Sequence, residues 1–255
     1  AYITRRKDTR FSRKRWLISF GRLAVDTMST NVVIIMTDQQ KASVLPMYGN
    51  RILKMPNLSA FADQGVVFGN AFTSCPICVP ARVSMFTGQY PTAHGSLDNS
   101  VVMRPGKRHL LRLLKEAGYT TGLAGKNHCF PAAEAGWFDH RWDCGHYGPT
   151  GADVEPKYKE SMRFLRSSEA LHAAWGHVVN PNPPDALGTA WTTDHAVKLL
   201  RENHEKPFFL WYSIPDPHIP FQTSEPYASM YPPASVEVPP AEPDGMAGKP
   251  RSQQM

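Results

Sequence analysis

Cysteine is scarce in this sequence, with four in 255 residues. Cys75, Cys78, Cys129 and Cys144 lack the even spacing of a disulfide framework, which excludes a disulfide-stapled scaffold. A four-ligand zinc site wants two close pairs, and Cys129 and Cys144 stand 15 apart, so zinc is a weak reading. No apolar run approaches the ~20 residues that span a bilayer as a helix, and no internal repeat is present. The apolar fraction of 42% and charged fraction of 20% are those of an ordinary globular protein with a real core.

Charge of one sign is also missing from most of the chain. The formal net charge is +6, but residues 1–27 carry Arg5, Arg6, Lys7, Arg10, Arg13, Lys14, Arg15 and Arg22 against Asp8 and Asp26. The remainder holds 20 basic and 20 acidic side chains, so its charge makes no case for nucleic acid or a membrane surface as partner. The leader's apolar stretch W-L-I-S-F-G is short and interrupted by Arg22, unlike a secretory signal. The expected location is therefore cytoplasmic, with periplasm or secretion the lesser alternative. M-S-T-N-V-V-I-I-M from Met28 reads as a natural start, and residues 1–27 as translated upstream sequence or a disordered arm.

What is present is an alternation of buried strands and amphipathic helices. N-V-V-I-I-M (31–36) is a β-branched run with the pattern of a strand buried on both faces. M-P-N-L-S-A-F-A-D-Q-G has Pro56 early and Gly65 as a stop, which predicts a helix. V-V-F-G-N-A-F (66–72) reads as a second strand. K-R-H-L-L-R-L-L-K-E-A-G predicts a helix closing at Gly118, followed by a short strand in Y-T-T-G-L-A-G. T-T-D-H-A-V-K-L-L-R predicts a helix capped by Thr192 or Thr193, burying Ala196, Val197, Leu199 and Leu200. P-F-F-L-W-Y-S-I is a further apolar strand.

This alternation implies an α/β fold, a mostly parallel central sheet flanked by helices. In such sheets ligands gather beyond the carboxyl ends of the strands, and the polar clusters lie there: Asp38 after one strand, Lys126 and His128 after another, His218 after a third. Residues 28–225 form the body of the domain. Within it, residues 140–190 lose the pattern around one helix near 158–174, which reads as an insertion or substrate-facing lid. Residues 226–255 read as a proline-rich irregular tail.

The chemistry concentrates in C-P-I-C-V-P-A-R (75–82). Parsed as C-x-x-C, it is a redox pair or half a metal site. Parsed from Cys78, it is a helix start, with Pro80 suited to the first turn and the run closing at Gly88. Cys78 then sits where the helix dipole favours an anion. Arg82, one turn on, can point back to it. A cysteine beside a guanidinium at a helix start is an activated position.

C-V-P-A-R-V-S-M-F-T-G resembles the signature of the type I sulfatase family. N-V-V-I-I-M-T-D-Q-Q, G-L-A-G-K-N-H and P-F-F-L-W-Y-S-I-P-D-P-H-I-P-F resemble further elements of that family in family order, so that the likeness covers roughly residues 31–221. The resemblance implies an alkaline-phosphatase-like fold and hydrolysis of sulfate monoesters. It also implies oxidation of Cys78 to 3-oxoalanine (formylglycine) by a formylglycine-generating enzyme. The hydrated aldehyde then attacks sulfur with one hydroxyl and expels sulfate through the other, a release that a plain thiol lacks.

By the same resemblance, Asp38, Gln39 and the oxidised Cys78 ligate a divalent metal, Ca2+ first and Mn2+ or Mg2+ as alternatives. Arg82 and Lys126 hold the diol, His128 partners its second hydroxyl, and His218 contacts substrate as general acid. Many family members carry a second aspartate where this chain has Gln39. Asn99 is read as a turn residue and Cys75 as incidental.

The family's second acidic metal pair and C-terminal subdomain have no counterpart here. The chain is therefore expected to be the N-terminal part of such an enzyme, inactive or unstable alone. Competing readings are a phosphonate monoester or phosphodiester hydrolase on the same scaffold, a noncatalytic fragment, and a redox protein using Cys75 and Cys78. The substrate is a small-molecule or carbohydrate ester, not identifiable from the sequence.

Overall fold

The computed structural model describes residues 30–151, 153–167, 177–202, 205–236 and 248. The basic leader lies outside the described residues. In chain order the first half gives β1 (Val32–Thr37), α1 (Pro56–Asp63), α2 (Cys78–Thr87), α3 (Pro91–His94), α4 (Leu110–Glu116) and β2 (Thr120–Gly125). The second half gives β3 (His140–Gly145), β4 (Gly148–Pro149), α5 (Pro156–Ser167), β5 (His177–Val179), α6 (Gly188–Arg201), β6 (Phe208–Ile214), β7 (Phe221–Thr223) and α7 (Tyr227–Met230).

The central sheet runs β1-β6-β2-β3-β4. Its first four strands are parallel, and β4 is antiparallel to β3. β5 and β7 form a separate parallel ribbon. The expected α/β architecture is the one observed, and β6, late in sequence, occupies the middle of the sheet.

Period-2 alternation splits the core into two faces. Leu123, Phe209 and Trp211 point to one side, where Val79, Val83 and Phe86 of α2 and Leu111 of α4 cover them. Phe86 meets Trp211 and Phe130 edge-on at centroid distances of 4.7 and 4.8 Å, a favoured aromatic geometry. Ala124, Phe208 and Leu210 point to the other side, against Ala196 and Leu199 of α6. Burying the α2 stripe fixes that helix against the sheet and so fixes the position of Cys78 at its start.

Four expectations need correction. Residues 66–72 form no strand, and Phe72 is 90% exposed; their apolar side chains meet no described partner strand. β1 is buried on one face only. Val32, Ile34 and Met36 join the core, but Ile35 is 61% exposed, because β1 is an edge strand and α6 lies across its neighbours. α6 begins at Gly188, a turn before Thr192 and Thr193. Those hydroxyls donate back to the Gly188 and Thr189 carbonyls at 2.8 and 2.7 Å, the in-helix use of threonine rather than the capping use. On that helix Leu200 is exposed.

Within 140–190 the structure differs from the loose pattern read there. β3 and β4 extend the central sheet, and α5 spans Pro156–Ser167, with residues 168–174 outside the described set. Beyond 226, α7 is regular, and most of the tail after 236 lies outside the described residues.

Gly125 closes β2 at φ +112, and a Cβ there would lie 1.8 Å from the Ser213 carbonyl oxygen. Both the backbone angle and the strand spacing forbid a side chain. Gly125→Ala is expected to destabilise the protein by roughly 4 kcal/mol or more, read from urea unfolding. Gly136→Ala, where nothing lies within 4 Å, is the control and should stay within about 1 kcal/mol of the parent.

Candidate active site

Four parallel strands end on the same edge, and each delivers a polar residue there. β1 leads into Asp38 and Gln39, β6 into Asp216 and His218, β2 into Lys126 and His128, and β3 into His146. The backbone binds these ends together: Asp38 N–H donates to the Asp216 carbonyl at 3.3 Å, and Lys126 N–H to the Ser213 carbonyl at 2.8 Å. Helix α2 arrives over this edge with Cys78 at its first turn. Ile77 is its N-cap and offers no side-chain acceptor. The acceptor comes from Asn99, which lies in a turn as expected and whose Oδ1 takes the Val79 N–H at 3.0 Å, so that the turn also positions the helix start.

Asp38 is the hub. The Cys78 thiol donates to its Oδ1 at 3.5 Å, Arg82 NH2 to its Oδ2 at 3.4 Å, and Lys126 Nζ to the same Oδ2. Lys126 Nζ also reaches Cys78 Sγ at 3.6 Å. Asp38, Arg82 and Lys126 are 7%, 3% and 4% exposed. Burial alone would raise the Asp38 pKa. The Lys126 hydrogen bond and the Lys126 and Arg82 charges outweigh it and hold the carboxyl below its ordinary range. Arg82 does not turn back to Cys78. Its NH1 donates to the Lys126 carbonyl at 2.9 Å and Ser213 Oγ at 2.8 Å, and its guanidinium lies over Trp211.

His218 donates Nδ1–H to the Ile219 carbonyl at 2.6 Å. That fixes Nε2 as the atom free to exchange a proton. His128 makes no hydrogen bond to a described residue, but it feels the charges of Lys126, Arg82, Asp38 and His218. Burial first, then Lys126 and Arg82, lower its pKa. Gln39 and His128 are the two non-glycine residues with positive φ among the described ones, at 62° and 59°. Both follow a strand end, and such backbone strain concentrates at functional sites.

His146 is the residue sequence reasoning missed. Its Nε2 lies 2.8 Å from Lys126 Nζ, and its ring stacks on His218 with centroids 3.7 Å apart. An ammonium has only donors, so His146 must accept through Nε2 and carry its proton on Nδ1. Lys126 therefore spends one N–H on Asp38, one on His146 and one on position 78. The signal was H-R-W-D-C-G: its polar residues disguised a parallel strand, and once β3 is placed beside β2 the residue after it falls next to Lys126.

A cavity of about 760 Å³ opens at this edge, lined by Asp38, Gln39, Cys78, Arg82, Asn99 and His218. Asp38 and Gln39 bring oxygen donors to it. Calcium takes about six to eight oxygens, and among the described residues no group of three or more His, Cys, Asp or Glu side chains is placed to hold a metal. Asp38 Oδ2 is moreover held by two cations. This donor set by itself does not complete the shell of a divalent ion. Cys75 and Cys78 are both free.

The sulfatase family model matches residues 30–238. Arylsulfatase of Clostridium perfringens is 27% identical over 229 residues, 80% of this chain and 46% of that protein. The phosphonate monoester hydrolase of Agrobacterium radiobacter superposes with a TM-score of 0.64 at 23% identity, covering 82% of this chain and 45% of that one. A protein solved with its substrate D-glucosamine-2-N,6-O-disulfate superposes with a TM-score of 0.57 at 23% identity, covering 74% and 35%. The chain spans about half the length of the curated relatives it matches.

The geometry around His146 predicts its protonation. Burial, then Lys126, then His218 push its pKa down to about 4. It should stay neutral and Nδ1-protonated from pH 8 to pH 5 in imidazole 15N NMR. An unfolded chain binds that proton near pH 6.5. Stability should therefore fall as pH drops from 6.5 toward 4, and less steeply in His146→Gln.

Proposed function

The chain belongs to the sulfatase family, and from that premise we propose that the protein hydrolyses sulfate monoesters through an oxidised Cys78. One observation carries this reading: Cys78 Sγ lies within 3.6 Å of both the Asp38 carboxylate and the Lys126 ammonium at the start of a helix. The family generally acts through formylglycine and a metal. Here Sγ marks the place of one hydroxyl of the hydrated aldehyde.

That hydroxyl attacks sulfur, with Asp38 as its acceptor and Lys126 donating to the oxygens that gain charge. Arg82, buried behind Asp38, keeps the carboxylate ionised. The ester oxygen leaves with a proton from His218 Nε2, whose ring Ile219 and His146 orient. Sulfate is now bonded through oxygen to the side-chain carbon. His128, neutral because burial and cations depress its pKa, takes the proton of the second hydroxyl. The carbon–oxygen bond to sulfate breaks, the aldehyde re-forms, and water hydrates it again. Asp38 and Gln39 are the oxygen donors that a calcium ion, or manganese or magnesium in its place, would meet. Maturation calls for a formylglycine-generating enzyme. A cytoplasmic location belongs to the same proposal, and no helix among the described residues is long and apolar enough to cross a membrane.

Gln39 favours one second reading. An amide in place of a second carboxylate leaves the site less negative, which suits a phosphonate monoester or phosphodiester as well as a sulfate.

The test uses the full native protein coexpressed with a formylglycine-generating enzyme. Mass spectrometry of the Cys78 peptide should show sulfur lost and an aldehyde gained. Hydrolysis of para-nitrophenyl sulfate should exceed that of para-nitrophenyl phenylphosphonate; the reverse order selects the second reading. Lys126→Ala should lower kcat about 100- to 1,000-fold. An unmodified thiol at position 78 together with no cleavage of either ester would sink the proposal.

A further inference from the structure

Position 78 and His128 come from different elements, the start of α2 and the turn after β2, and one stretch of irregular chain touches both. Residues 99–109 begin at Asn99, which holds the Val79 N–H at 3.0 Å, and end at His109, the N-cap of α4. Midway, Met103 is buried among Val79, Val83 and Cys129. Its N–H donates to the Cys129 carbonyl at 3.0 Å, and Cys129 directly follows His128. Met103 and His109 are the buried side chains of this strap; Val101, Val102, Arg104 and Gly106 are exposed. The strap has few fixed points.

Glu134 fixes its far end. This buried residue belongs to the short 3-10 helix Ala132–Trp137. Its Oε1 accepts the Gly106 N–H at 2.7 Å, and its Oε2 accepts Trp137 Nε1–H. His109 faces it as well. The Nδ1 of that ring accepts the Arg112 N–H at 3.1 Å, so the neutral ring carries its proton on Nε2, 3.5 Å from Glu134 Oε2. Burial alone would raise the Glu134 pKa. The Gly106 and Trp137 N–H groups and His109 outweigh it and hold the carboxyl below its ordinary range. An apolar side chain would fill the same space without the cost of burying a charge, but it would leave the Gly106 N–H unheld.

The other end of the chain of contacts is under strain. His128 keeps a φ of 59°, left-handed for a residue with a side chain, and such a conformation persists only where its surroundings fix it. Asn127 Oδ1 accepts the Phe130 N–H at 2.9 Å and closes that turn. Met103 of the strap holds the Cys129 carbonyl inside it, and the His109 ring packs edge-on against Phe130 with centroids 5.1 Å apart.

We propose that Glu134 is a positioning residue for hydrolysis: by latching residues 99–109 it holds position 78 and His128 in register. The proposal rests on the sulfate-ester reading above, in which one supplies the attacking hydroxyl and the other takes the proton of the second. Glu134 does not line the cavity at position 78, so its loss slows the chemical steps and leaves ester affinity in place.

The test has two arms, both on the full native, formylglycine-bearing protein. The first is amide hydrogen exchange and needs neither turnover nor a substitution. The Gly106, Met103 and Val79 amides should open as one unit, with a common protection and a common urea dependence. Glu134→Gln sets an NH2 against one of the donors that now meet oxygen, and should speed all three about tenfold. The Lys126 amide, bonded to the Ser213 carbonyl, should not change. Trp137→Phe removes the other bond to Glu134 and spares Gly106, so the three amides should keep their parent rates.

The second arm is the kinetics of para-nitrophenyl sulfate cleavage, per mole of aldehyde at position 78. Glu134→Gln should lower kcat about 10- to 100-fold with KM within about twofold of the parent, and Trp137→Phe should leave both within about twofold. A merely structural glutamate would lower thermal stability without this split. Unrelated exchange of the three amides, parent kcat in Glu134→Gln, or equal losses in the two variants would overturn the latch and leave the sulfatase reading standing. A protein whose three amides open together but which cleaves no sulfate ester would overturn that reading, and the positioning role with it.

Discussion

The contact on which this structure turns is the buried ion pair of Lys126 with Asp38, seconded by Arg82. Taking a carboxylate and two cations out of water costs several kcal/mol per ion, and only close pairing offsets it. The pairing here also has a topological effect. Asp38 ends β1, Lys126 ends β2, Arg82 belongs to α2, and Arg82 reaches Ser213 of β6. One charge cluster therefore ties three adjacent parallel strands and the helix above them. Removing Asp38 would leave two buried cations without a counter-charge, so geometry and stability are coupled at this point. Position 78 sits on the open side of the cluster, where the one N–H of Lys126 not already anchored is directed.

Much of that cluster was legible in the sequence because each member follows a strong local signal. N-V-V-I-I-M and P-F-F-L-W-Y-S-I are unbroken apolar runs, and such runs become parallel strands whose ends carry the site. Pro80 and Gly88 bracket α2. The failures have equally local causes. V-V-F-G-N-A-F has strand composition, but composition makes no strand where no neighbour offers a ladder. H-R-W-D-C-G has none of the signal and is nevertheless a strand, because β2 supplies the ladder and Trp142 and Cys144 pack beneath it. His146 was hidden for that reason alone. The helix spacing from Cys78 to Arg82 correctly placed the guanidinium in the site but could not show that Asp38 and Ser213 would capture it.

The pair of stacked imidazoles shows how tertiary context sets chemistry that no motif reveals. Two rings 3.7 Å apart cannot both hold a charge at low cost. Lys126, donating into His146, decides which stays neutral. His218 in turn donates Nδ1–H to the Ile219 carbonyl, which leaves its Nε2 without a partner among the described residues. His146 thus acts on His218 and Lys126 without any need to meet a substrate. Asn99 acts similarly on Cys78, by holding the first turn of α2 through the Val79 N–H.

This arrangement also separates the charge cluster from the segments that follow β6. Lys126, Arg82 and the α2 start respond to negative oxygens, which sulfate and phosphonate groups share; point charges and helix dipoles do not read the central atom. Asp38 offsets only one of the two cations, so the cluster keeps a net positive charge. Among the described residues, the segments beyond β6 share no side chain with the charge cluster and touch it through the Asp216 carbonyl and His218, so the ion pair that holds the strand ends together does not depend on their side chains.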